Sequence, residues 1–167
     1  DAGAAIDGAA QTVAATYELP YLAHAPMEVL TCTVRLTATK CEIWVPTQAP
    51  TWVIATAKAL TGLPESKIKV HTTLMGGGLG RKFEQDYVAQ AILVAKAIGK
   101  PVKLTWPREE DFSHDQYRPM SVNRLRAGLD ADNHVVGWVN RIVQPSILGQ
   151  RGWIGPGQND SQCTEGA

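Results

Sequence analysis

The sequence predicts an α+β fold, a mixed β-sheet with two main helices packed on one face. Three observations predict it. Short stretches rich in β-branched residues recur along the chain, two amphipathic stretches framed by proline and glycine stand between them, and strands and helices mix without strict alternation. The 167 residues suffice for one domain with its own core, or for a piece of a larger one.

The elements follow in order. Residues 1–10, DAGAAIDGAA, are small with no sustained period and are read as a flexible lead-in. TVAATYEL, EVLTCTVRL and CEIWV are strands, and Thr-Ala-Thr-Lys between the last two suits a hairpin. PTWVIATAKALTGLP is a helix: Pro50 fits the first turn, Val53, Ala57 and Leu60 share a face, and Gly62 with Pro64 closes it. SKIKVHT returns as a strand. A second helix runs from Glu84 to Ile98, with Val88, Ala91, Ile92 and Ala95 as its apolar stripe and Gly99 at its stop. VKLTW is a short strand, PREEDFSHD a helical turn, and SVNRLRAGLD with VVGWVNRIV a hairpin turned by ADNH. Residues 11–146 therefore make the partial domain, and 147–167 an irregular tail.

Charge narrows the partners. Sixteen basic residues balance sixteen acidic ones, and no Lys/Arg block exceeds two residues, which argues against nucleic acid or an anionic membrane surface. No apolar run approaches the roughly 20 residues that span a bilayer. Cys32, Cys41 and Cys163 lack C-x-x-C spacing and are read as plain thiols, with a Cys32–Cys41 bridge as the alternative. The chain opens at Asp1 and is read as a fragment or a processed product.

The densest chemical pattern is TLMGGGLGRKFEQD. Gly76, Gly77, Gly78 and Gly80 let the chain take positive φ, expected at Gly78 in particular, and bring N–H groups close to a ligand, while the helix that follows would offer its positive end. A tight connection that needs glycine only for packing is the plain alternative. Phosphate-loop patterns fail here: Lys82 is followed by Phe83, not Ser or Thr, and Arg81 stands where a dinucleotide turn needs glycine. A nucleophile elbow is missing too, and the four histidines form no H-x-x-x-H pair. REEDFSHDQYRP offers acid, imidazole and guanidinium close together, either as an acid–base pair or as a solvated charged turn. WVPTQAP and LMGGGLGRK are both strand-to-helix corners, side by side if their strands are neighbours. Gln48 at the first can give and accept hydrogen bonds; the amides at the second can only give them.

The ordered set AHAPME, WVPTQAP, LTGLPESKIKVH, MGGGLGRK, QAILVAKAIGKPVKLTWPREEDF and HDQYRP, between Tyr17 and Arg141, resembles the molybdenum-binding large subunit of the xanthine dehydrogenase/aldehyde oxidase family. The most similar branch is the isoquinoline 1-oxidoreductase β-subunit group, with bacterial membrane-associated aldehyde dehydrogenases. The resemblance implies part of a molybdopterin pocket in a molybdenum hydroxylase that acts on aldehydes or N-heterocycles with water as oxygen source. It implies a molybdenum–molybdopterin cofactor, in the cytosine dinucleotide form, and an iron–sulfur small subunit with, in some relatives, a cytochrome c. Gln48 matches the glutamine that orients the metal's oxo ligand. Gly77, Gly78, Leu79, Gly80 and Arg81 match the loop that holds the cofactor. Leu79 stands where many relatives have phenylalanine, Phe83 where purine-oxidising relatives have glutamate, and the family's general-base glutamate lies beyond this chain. The isolated chain is accordingly expected to be inactive and to hold no cofactor by itself. A non-catalytic anion- or nucleotide-binding module that uses the glycine turn alone is the alternative reading.

Overall fold

The computed structural model describes residues 1–164. In chain order its elements are α1 (Ala2–Asp7), β1 (Gln11–Leu19), β2 (Thr31–Leu36), β3 (Cys41–Val45), α2 (Pro50–Thr61), β4 (Ile68–Thr72), α3 (Asp86–Ile98), β5 (Val102–Thr105), α4 (Arg108–Ser113), β6 (Ser121–Leu129), β7 (Val135–Val143), α5 (Ile147–Gln150) and α6 (Ser161–Thr164). Every strand read from the sequence is present, but they form two sheets where one was expected. The chain divides into two units, residues 23–117 and residues 1–22 with 118–167.

In the unit 23–117 the sheet order is β4-β3-β2-β5. β2 pairs antiparallel with both β3 and β5, while β3 and β4 run parallel, as the crossover through α2 requires. Alternation along β2 and β3 sends Cys32, Val34, Cys41, Ile43 and Val45 into one core with Val53 and Ala57 of α2 and Tyr87, Val88, Ala91 and Ile92 of α3. This unit is the expected two helices on one face of a mixed sheet. Both helices stop where a residue adopts the left-handed conformation that glycine tolerates, Gly62 at φ 74 and Gly99 at φ 69. Cys32 and Cys41 are free thiols in this core, and burial, then the neighbouring Cys41, pushes the Cys32 thiol up to about 12.

The other unit holds the antiparallel sheet β1-β6-β7. Here the reading of residues 1–10 needs correction: Ala2–Asp7 is a helix, and its Ile6 is 1% exposed. α1 approaches the sheet closely because Gly128 and Gly137 have no side chains. A Cβ on Gly137 would lie 2.9 Å from Ala2 O and from Ile6 Cγ1, and one on Gly128 2.9 Å from Ile6 Cα. One large apolar residue among alanines and glycines gives no period, so the helix is specified by a seat more than 100 residues away in sequence. Residues 147–164 of the tail are also more ordered than their composition suggests. Asp160 accepts hydrogen bonds from Ser146 Oγ (2.7 Å), Leu148 N (2.8 Å) and Gln162 N (2.9 Å), joining the segments of α5 and α6.

Candidate functional site

The two corners foreseen in the sequence do meet. Parallel pairing of β3 with β4 sets Trp44 against His71, their rings stacked at 4.8 Å, and Val45 against Thr72 just before both strands turn out of the sheet. Thr47 and Gln48 then leave β3 beside the chain that leaves β4. Gln48 N and Thr47 Oγ1 both donate to Lys82 O, at 3.0 and 3.1 Å, and Gln48 Oε1 accepts from Gly80 N at 3.1 Å. With its oxygen so engaged, Gln48 keeps two Nε2 donors that have no acceptor among the described residues.

The glycine segment is bent sharply. Gly77 lies at φ 91, Leu79 at φ 54 and Gly80 at φ 102. Arg81 N donates to Gly78 O at 2.8 Å, which closes a turn over Leu79 and Gly80 of the type with positive φ at both central residues. Leucine in the left-handed region costs about 1–2 kcal/mol, and such strain collects at functional sites. Gly78 does not take the expected positive φ. It is glycine for space: a Cβ there would lie 2.4 Å from Gln48 Oε1. Gly76 is likewise crowded, with a Cβ 2.7 Å from Glu28 Cβ. The N–H groups of Gly77 and Gly78 have no acceptor among the described residues. A further correction concerns the helix: α3 begins only at Asp86, after a 3₁₀ turn over Arg81–Phe83, so its positive end does not abut the glycines.

These environments rank the glycines by stability. Gly77→Ala should cost about 1–2 kcal/mol through its φ. Gly76→Ala should cost more, because Glu28 Cβ cannot withdraw without its backbone. Gly78→Ala should cost least, since the tip of Gln48 can swing aside. Thermal unfolding of the three variants checks the order.

Behind the turn lie two consecutive cations, Arg81 and Lys82, both fully buried. Lys82 Nζ donates to Glu28 Oε2 at 2.5 Å, and the same oxygen accepts from Gly76 N at 3.0 Å, while Glu28 N donates to Gly76 O at 2.9 Å. Burial works to raise the Glu28 pKa, but the Lys82 hydrogen bond, the Gly76 amide and the Lys82 charge outweigh it and leave it lowered. Arg81 grips Asp86 with both terminal nitrogens, at 2.9 and 2.6 Å, and its Nε lies 2.8 Å from Asp115 Oδ1 as an ion pair without hydrogen-bond alignment. The ring of Trp106 lies 5.5 Å from the guanidinium. Burial would lower the Arg81 pKa; the hydrogen bond and charge of Asp86, then Asp115 and Asp111, hold it above the usual arginine value.

The candidate cluster REEDFSHDQYRP splits in two. Asp111 and Asp115 turn inward, where Asp111 pairs with Arg108 and Asp115 accepts from His24 N at 2.5 Å and meets His24 Nδ1 at 3.1 Å. Glu110 and His114 pair at 3.2 Å on the exposed side. Glu28, Lys82 and His24 were not singled out by sequence reasoning, although AHAPME contains two of them. Charged residues in loops read as solvated, and only the fold shows their partners.

The result is a corner of N–H donors without side-chain bulk, with an amide side chain beside it, backed by paired buried charge. Such a donor set suits an anionic, oxygen-rich ligand. A family model described as the molybdopterin cofactor-binding domain matches residues 1–145. The chain belongs to that family.

Two curated relatives illustrate the match. This molybdopterin cofactor-binding domain is 32% identical over 127 residues to isoquinoline 1-oxidoreductase subunit beta of Brevundimonas diminuta, covering 75% of this chain and 16% of that protein. It is 38% identical over 116 residues to the membrane-bound aldehyde dehydrogenase [pyrroloquinoline-quinone] of Gluconacetobacter polyoxogenes, covering 64% and 15%. The crystal structure of quinoline 2-oxidoreductase from Pseudomonas putida 86 shares the fold, with a TM-score of 0.72 at 22% identity over 87% of this chain and 19% of that one. The domain thus spans about a sixth of the length of these curated relatives. No helix among its described residues is long and apolar enough to cross a membrane.

Proposed function

We propose that the corner formed by Gln48 and Gly77–Gly80 is one wall of the molybdenum–molybdopterin pocket in an oxidoreductase that hydroxylates aldehydes or N-heterocycles, with water as oxygen source. The observation that carries this reading is the Gln48 Oε1 to Gly80 N bond. It orients the Gln48 amide so that its donors and those of Gly77 and Gly78 serve one corner. Bound there, the cofactor would supply the two-electron oxidation; the protein supplies placement and polarisation. Gly77 and Gly78 would hold it through their amides, and Gln48 would donate to its oxygen atoms. Arg81 has no such role by contact, because its side chain is spent on Asp86 and Asp115 and its amide on Gly78 O. The cytosine dinucleotide form of the cofactor, an iron–sulfur subunit as electron acceptor and a cytochrome c beyond it belong to the same proposal. The likeness to relatives named as subunits supports assembly with a separate partner subunit.

The test is metal and pterin analysis of the complete subunit, purified with its partners. Molybdenum and a pterin in equal amounts are the expected result. A bound nucleotide or anion without metal would overturn this reading in favour of the non-catalytic module.

A further inference from the structure

Two cations buried side by side in a turn need a reason, because burying a charge costs several kcal/mol before any pairing. Lys82 faces Glu28, which also holds Gly76. Arg81 faces the other way, toward the first turn of α3 and the segment after α4. Its amide closes the turn on Gly78 O, and its side chain reaches Asp86 and Asp115. Asp115 is itself fixed, 1% exposed in its side chain and held by His24 through backbone and ring. Trp106 covers the guanidinium, and its Nε1 donates to Gln90 Oε1 at 2.8 Å. The Gly78 peptide therefore follows the Arg81 backbone, which is pinned by a fork to two separate elements.

We propose that Arg81 is a positioning residue: locked between Asp86 and Asp115, it sets where the N–H groups of Gly77 and Gly78 stand and so governs cofactor retention without touching the cofactor. The retention part rests on the cofactor reading above; the positioning part does not. A planar fork spanning two carboxylates does what a point charge cannot, so lysine should not replace it.

The experiment follows amide hydrogen exchange and molybdenum content in the complete subunit carrying Arg81→Met, with Arg81→Lys as the second variant should the first fail to fold. Exchange of the Gly76, Gly80 and Arg81 amides, which Glu28, Gln48 and Gly78 O hold, should accelerate about tenfold while that of β3 stays at the wild-type rate, and molybdenum content should fall, as outer-shell losses of about 10–100-fold in affinity imply. Wild-type exchange in the loop would overturn the inference. So would equal acceleration in β3, which would mark Arg81 as a general stabiliser. A wild-type subunit without molybdenum would sink the cofactor reading alone, and loop exchange would still decide the role of Arg81.

Discussion

Gln48→Ala in the complete subunit is expected to slow turnover by about 10²-fold, the scale for losing one aimed donor at a reacting centre. Folding should barely notice. Gln48 is exposed, its backbone bond to Lys82 O does not depend on the side chain, and the Gly80 amide it releases is exposed and can turn to water. Molybdenum content should stay at the wild-type level, because the amides of Gly77 and Gly78 remain. Turnover measured per molybdenum atom checks this, and a wild-type rate at full metal loading would remove Gln48 from the site. Gln48→Glu is a useful companion: it keeps the acceptor for Gly80 but exchanges the amide donors for an anion, so it should not restore the rate.

Glu28→Ala should destabilise the fold by about 2–4 kcal/mol. Removing one partner of a buried pair costs about 3–5 kcal/mol. Here solvent lowers the figure, since Glu28 keeps about a third of its side chain in water while Lys82 keeps none. Lys82→Met should cost less, because the carboxylate left behind can be hydrated. The pair also predicts a pH dependence. The folded Glu28 pKa lies below the ordinary 4.5, so its contribution is fully present above pH 4.5 and is lost as pH falls through the lower folded value. Denaturant unfolding of the wild type and of Glu28→Gln at several pH values should give a stability difference that shrinks on acidification below 4.5. A difference constant across that range would show that the ionised pair contributes nothing.

How far the sequence reached depends on how local each determinant is. Gly62 and Gly99 end their helices through their own φ, and Pro50 starts one, so these boundaries were legible from a few adjacent residues. The two corners were legible as corners; that they touch follows from the parallel pairing of β3 with β4, a non-local fact. Within the glycine run, composition could not say which glycine bends and which makes room. Gly77 bends, while Gly78 yields space to Gln48, 30 residues earlier. The buried charges were illegible for the same reason. Lys82 meets Glu28 54 residues away, and without that partner the rule that lysine stays in solvent is the better guess. α1 was missed because its specification lies in two absent side chains, Gly128 and Gly137.

The pairing of β1 with β6 also sets an order of events. Leu22 and Arg118 exchange backbone hydrogen bonds at 3.3 and 2.9 Å, on either side of the whole unit 23–117, and the ladder of β1 with β6 begins a few residues further out. An open loop of that length would charge its full closure entropy against the first rung. A folded 23–117 has already spent it, because its own sheet holds the two exits in place. The kinetic consequence is directional: residues 23–117 can reach their native topology from contacts within themselves, whereas the three-stranded sheet must wait for them. During synthesis β1 emerges before β2 to β7 and would therefore wait through all of residues 23–117 for its partner β6, and Val13, Tyr17 and Leu19, about half exposed even once the ladder has formed, would pass that interval uncovered.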